Sequence, residues 1–104
     1  MNIIYFDNIY YNDIINRKKS STIRKTKKLN IGELFIIKFI NLETSLTAKC
    51  ECVEEITLNK SLQVNSNILR TQGYNVEQKD LFLYSIEKRY GLPFNGFYHK
   101  FTTS

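Results

Sequence analysis

The 104-residue chain has two cysteines, one histidine, one proline, four glycines and no tryptophan. Cys50 and Cys52 are separated by Glu51 alone. Residues two apart on a strand share a face and rarely meet disulfide geometry, so a disulfide-stapled scaffold is excluded. One histidine and a Cys-x-Cys pair fall short of the four ligands of a structural zinc site, and no metal is expected. A glycine-rich phosphate loop is absent, so no nucleotide cofactor is implied. No apolar run approaches the length of a membrane-spanning helix. The opening MNIIYFDNIYY meets charge and asparagine too early for a signal peptide. These absences lead to the expectation of a reduced, cytoplasmic protein forming a single domain over residues 1–104.

What is present is uneven charge. The formal net charge is +5, yet the stretch Asn16–Lys28 (NRKKSSTIRKTKK) alone holds seven cations: Arg17, Lys18, Lys19, Arg24, Lys25, Lys27 and Lys28. Charge gathered in one place suits an anionic partner better than diffuse basicity does. The cations flank the hydroxyls Ser20, Ser21 and Thr22 rather than acids, so nothing nearby in sequence neutralises them. Seven tyrosines and seven phenylalanines supply candidate stacking surfaces for bases. The plainer reading is a solvated loop after a helix, whose cations answer the helix dipole.

Periodicity places the segment. Ile3–Phe6 reads as a short strand. Asp7 reads as an N-cap, and Phe6, Ile9, Tyr10, Ile14 and Arg17 follow helical spacing, predicting a helix from about Asn8 to Arg17. Ser21–Arg24 reads as a short strand, Lys25–Ile31 as a loop and Gly32 as a turn before the apolar strand Leu34–Ile40. From Leu46 to about Thr57 the pattern alternates, with Leu46, Ala48, Cys50 and Cys52 on one face. Asn59–Arg70 is a short helix or irregular segment. The clearest helix starts near Asn75, carries a stripe of Leu81, Phe82, Ser85, Ile86 and Tyr90, and ends at Gly91 before Pro93. Phe97–Phe101 closes the chain as a strand, and His99 is read as packed there or at a rim. The order of elements suggests a small α+β barrel.

One spacing carries a chemical option. Lys19 stands three residues before Thr22, among like charges that lower a lysine pKa. A neutral amine can take a threonine proton and free the oxygen to attack an acyl carbon.

The string Ile14-Ile15-Asn16-Arg17-Lys18-Lys19-Ser20-Ser21-Thr22-Ile23-Arg24, followed by Ile31-Gly32-Glu33 and a hydrophobic strand, resembles the opening of ASCH domains, which run I-L-x-G-x-K-x-x-T-I-R and then x-G-D/E. Gln72-Gly73-Tyr74-Asn75, the helix ending at Tyr90-Gly91 and the aromatic last strand fit the same plan. The resemblance covers Ile3 to Phe101 and implies a small PUA-like β-barrel with helices packed over its openings. It implies a cleft that binds RNA or a modified nucleoside, with Lys18, Lys19, Ser21, Arg24 and Lys25 as nucleic-acid-binding residues and Gln72 reading a base edge. The alternative it implies is an amidohydrolase deacetylating 4-acetylcytidine, with Thr22 as nucleophile, Lys19 as base and Gln72 at the position of the family's acid. Two departures stand out. Arg17 or Lys18 replaces the usual glycine, suggesting a less sharp turn. Gln72 replaces a carboxylate and cannot exchange a proton, leaving Glu77 or Asp80 as substitutes.

Overall fold

A computed structural model describes residues 1–104. Strand β1 (Asn2–Phe6) leads into a 3-10 turn over Asn8–Tyr10 and the short helix α1 (Tyr11–Ile15). Then come β2 (Ser21–Arg24), β3 (Leu34–Phe39), β4 (Ser45–Leu58), α2 (Ser66–Thr71), a 3-10 turn over Val76–Gln78, α3 (Lys79–Tyr90) and β5 (Phe94–Thr103). The class is α+β, as the pattern of elements implied. No helix is long and apolar enough to cross a membrane.

The five strands form one mixed sheet in the order β1-β3-β4-β5-β2. Strand β1 runs parallel to β3, and the other pairs are antiparallel. The outer strands β1 and β2 share no ladder, so the barrel has an open seam rather than a closed wall. A side chain spans that seam: Arg24 Nη2 donates to the Tyr5 carbonyl at 2.9 Å.

The sheet separates two cores. Ile4, Phe6, Ile14, Phe35, Ile37 and Phe101 belong to the first. The second is covered by α3, whose Phe82, Leu83 and Ile86 pack with Ile23, Leu58 and Phe94. Each such side chain contributes about 1.5–3 kcal/mol on burial. Leu83, not the predicted Leu81, completes the α3 stripe; Leu81 is 59% exposed.

Strand β4 serves both cores because of a bulge. Cys50 pairs with Phe101 and Cys52 with Lys100, so Glu51 is the extra residue. Neighbours on β5 point to opposite faces, so the two cysteines do as well. The expectation that they share a face fails for this reason: Cys50 is buried in the first core, and Cys52 is half-buried on the other side.

The predicted helix Asn8–Arg17 is shorter and broken. Asp7 caps the 3-10 turn, accepting from the Ile9 amide at 3.1 Å. The Asp13 carbonyl accepts from the amides of both Lys18 (2.8 Å) and Lys19 (3.0 Å), which closes α1 with Arg17 at φ 61°. The turn is therefore as sharp as a glycine would make it, against the expectation of a gentler one. Arg17 takes the left-handed conformation that glycine takes without strain.

Candidate functional site

The open seam and α3 enclose a cavity of about 470 Å³ lined by residues including Phe6, Asp7, Tyr10, Lys19, Thr22 and Gln72 on one side and Ile86, Lys88, Arg89 and Tyr90 on the other. Its construction follows from chain geometry. Strand β2 presents Thr22 and Ile23 at the sheet edge, the turn after α1 delivers Lys19, and α2 ends at Thr71 so that Gln72 meets them. The amide of Ser20 donates to the Thr71 carbonyl at 2.7 Å and fixes the two segments together.

Lys19 is 7% exposed. Its Nζ lies 5.0 Å from the centre of the Tyr10 ring and 5.8 Å from that of Phe6. No carboxylate pairs with it, since the ion pair of the structure is Lys60 with Glu87. Burial lowers its pKa to about 7, helped by repulsion from Arg89 and Arg24 and opposed by Asp13. Near neutrality the amine is thus divided between a cation and a free base.

Thr22 is buried beside it, and its Oγ1 accepts from Arg24 Nε at 2.9 Å. That hydrogen bond fills an acceptor position and leaves the hydroxyl hydrogen available to a base. Arg24 is fixed by three partners: Thr22 Oγ1, the Tyr5 carbonyl, and the Phe6 ring at 5.5 Å. Behind Thr22, His99 is fully buried on the paired strand. Its Nε2 accepts from the Lys28 amide at 3.0 Å while Nδ1 lies 3.3 Å from the Thr22 carbonyl. These partners require the neutral tautomer with the hydrogen on Nδ1, and burial lowers the His99 pKa in agreement. His99 is thus a packed residue that ties the basic loop to β2.

Gln72 Nε2 donates to Ser21 Oγ at 2.7 Å, leaving its carbonyl oxygen uncommitted. Ser21 itself is fully buried, with Thr71 Oγ1 at 2.9 Å, and Thr71 Oγ1 is 2.7 Å from the Tyr98 hydroxyl. Thr22 lines the cavity and Ser21, enclosed by Thr71 and Gln72, does not. Ser21 was expected among the residues that meet nucleic acid; it acts here by holding Gln72.

Of the other predicted residues, Lys18 and Lys25 are exposed and outside this cavity, and Arg24 borders it through an adjoining recess with Tyr5 and Arg89. Glu77 and Asp80 do not line it; the carboxylate that does is Asp7. Sequence reasoning missed Tyr10, Lys88 and Arg89. The last two sit in the final turn of α3, where cations are explained by the helix dipole, and no local signal marks them as site residues. No three His, Cys, Asp or Glu side chains converge to hold a metal ion.

No family model and no curated protein matches the chain. Among solved structures, a high-resolution crystal structure of an ASCH domain from Lactobacillus crispatus JV V101 superposes with a TM-score of 0.69. The match covers 98% of this chain and 78% of that one at 12% identity. The chain has the ASCH-domain fold. Within the ASCH fold, the cavity described here lies at the seam where the sheet does not close, so its walls are strand edges and helix rather than a barrel interior.

Proposed function

We propose that this chain binds RNA or a modified nucleoside, taking a base into the seam cavity. The observation that carries the reading is the convergence there of aromatic faces, cations and one free amide oxygen. Tyr10 and Tyr90, half-buried in the lining, offer ring surface on which a base stacks. Gln72 offers both hydrogen-bond donor and acceptor to a base edge. Lys19, Lys88 and Arg89 outnumber Asp7, which favours an anionic or carbonyl-rich ligand. A volume of about 470 Å³ falls within the range of small-molecule sites.

Calorimetric titration with 4-acetylcytidine, cytidine and a short single-stranded RNA tests this. Binding of at least one, weakened by roughly 0.5–1.5 kcal/mol in Gln72→Ala, is the expected result. Failure of all three to bind refutes it.

The depressed Lys19 pKa favours a second reading, hydrolysis of the 4-acetyl group. The neutral Lys19 amine takes the Thr22 proton as Oγ1 bonds to the acetyl carbon. The C–N bond then breaks, and the Lys19 ammonium returns the proton to the departing nitrogen. Water, deprotonated in turn by Lys19, cleaves the acetyl-threonine ester and yields acetate. Cytidine release that disappears in Thr22→Val is the decisive sign. Its absence from the natural chain, with binding intact, leaves recognition alone.

A further inference from the structure

A second recess lies on the other side of the wall made by the paired segments 17–20 and 70–74. It is lined by Arg17, Lys18, Arg70, Tyr74 and Gly73 among others, with no carboxylate in the lining. Lys18 and Gly73 border it, while their neighbours Lys19 and Gln72 border the base cavity. The two spaces are thus one residue apart along both segments, about 3.8 Å of chain. Gly73 lies in that wall beside Lys18. At φ 92° it takes a conformation that favours glycine, and a Cβ there would stand in ordinary contact, 3.6 Å, with the Lys18 carbonyl.

Arg70 answers the dipole of α2 from its last turn, but no acid answers the cations of this recess. None forms an ion pair, and Arg70 makes one side-chain hydrogen bond, to Asn67 at 3.2 Å. Arg17 is the more telling case. It occupies a left-handed position where glycine would be unstrained, so the fold gives up stability to keep a guanidinium there. Tyr74, packed edge-on against Phe82 at 5.6 Å, gives the recess an aromatic wall held in place from behind.

We propose that this recess holds the phosphodiester backbone next to the recognised base, so that the ligand is a nucleotide within a single-stranded RNA rather than a free nucleoside. The inference rests on the base-binding reading above and specifies its ligand. Arg17, Lys18 and Arg70 meet the flanking phosphates, and Tyr74 stacks on a neighbouring base.

The test compares 4-acetylcytidine with a five-nucleotide RNA carrying it at the centre, for the natural chain, Arg17→Gly and the double variant Lys18→Gln/Arg70→Gln. The RNA is expected to bind at least tenfold more tightly than the nucleoside at low salt. That advantage should collapse in the double variant while nucleoside affinity stays unchanged. The slope of log affinity against log salt should shrink by about 0.7 for each phosphate that a variant no longer neutralises. Arg17→Gly should weaken RNA binding while raising the melting temperature, a pairing of signs that misfolding does not produce. Equal affinities for nucleoside and RNA, or variants that leave the RNA advantage intact, overturn the inference and leave a nucleoside site. RNA binding that depends on the recess without any nucleoside binding keeps this inference and removes the cavity reading. Binding of neither ligand overturns both.

Discussion

Replacing Lys19 by methionine should stabilise the protein. The folded chain holds this amine with a pKa of about 7 against 10.5 for an ordinary lysine. The direction fixes the sign: between those values the unfolded chain binds a proton that the folded chain does not. Stability therefore rises with pH through this window, by up to about 1.4 kcal/mol per pH unit, and the full penalty is present below pH 7. At pH 7 the penalty of burying the group is about 4 kcal/mol. Attraction to the Phe6 and Tyr10 rings offsets part of it, about 0.5–2 kcal/mol. Methionine fills a similar volume and keeps a favourable sulfur–aromatic interaction in the same cradle. Lys19→Met should thus gain roughly 2–4 kcal/mol at pH 7. Urea unfolding followed by circular dichroism at pH 6.5, 7.5 and 8.5 measures it. The natural chain should gain stability across the series more steeply than the variant, and the two curves should converge as pH rises. Cys50 and Tyr98, whose pKa values burial raises, are common to both chains and drop out of the difference. A variant less stable than the natural chain, with a parallel pH profile, would refute the reasoning. Lys19 would then be a charged residue with a favourable partner, and no reservoir of neutral base would exist beside Thr22.

Arg24→Lys should lose the fork that reaches Thr22 Oγ1 and the Tyr5 carbonyl at once, lowering stability by about 1–2 kcal/mol and ligand affinity with it, read by urea unfolding and titration. Gly96→Ala places a Cβ against the Phe94 ring and 2.6 Å from the Arg24 carbonyl, so it should cost about 3 kcal/mol in the same unfolding assay. His99 is neutral in the fold with a lowered pKa, so stability should fall as pH drops below 6.5, and the melting temperature of His99→Gln should fall less over pH 7 to 5. Nitrogen NMR shifts at pH 7 should report its hydrogen on Nδ1. Gln72→Glu adds a carboxylate to the Lys19 cavity, which raises the lysine pKa. Any cytidine release should therefore rise through the added acid while its acidic limb, set by Lys19, moves to higher pH, in a pH–rate profile.

The strands and the long helix were legible because their signals are local. Alternation in β4, the helix start near Asn75 and the stop at Gly91 each arise within a few residues. The grouping of Lys19, Thr22 and Gln72 was legible through resemblance to ASCH domains, not through composition. What escaped depends on geometry that sequence does not spell. One residue of bulge at Glu51 sends Cys52 to the far face, and no residue type announces it. Arg17 in a glycine conformation contradicts its own propensity. The choice between Ser21 and Thr22 depends on Thr71 and Gln72, fifty residues away, covering the one and not the other. Tyr10 and Arg89 come together only because a 3-10 turn and a helix flank the same gap from distant parts of the chain.

The open seam explains why so many of these exceptions coincide. Edge strands present unpaired backbone groups, and a fold must cover them or use them. Here β1 and β2 face each other without a ladder, and the Arg24 guanidinium satisfies the Tyr5 carbonyl across the gap. Lys19 is buried against the Phe6 and Tyr10 rings without a carboxylate partner, and that burial lowers its pKa to about 7. Closing the seam with backbone pairing would remove the cavity; filling it with an apolar side chain would stabilise the sheet and silence the amine. The site and the sheet therefore make opposite demands on Lys19, and Arg17 shows the same opposition at the next turn. On the proposed reading, residues that lower stability where a simpler residue would raise it are accounted for by ligand binding. Lys19→Met and Arg17→Gly probe the two sides of one wall, and a gain of stability with a loss of binding in both makes the wall itself the recognition element.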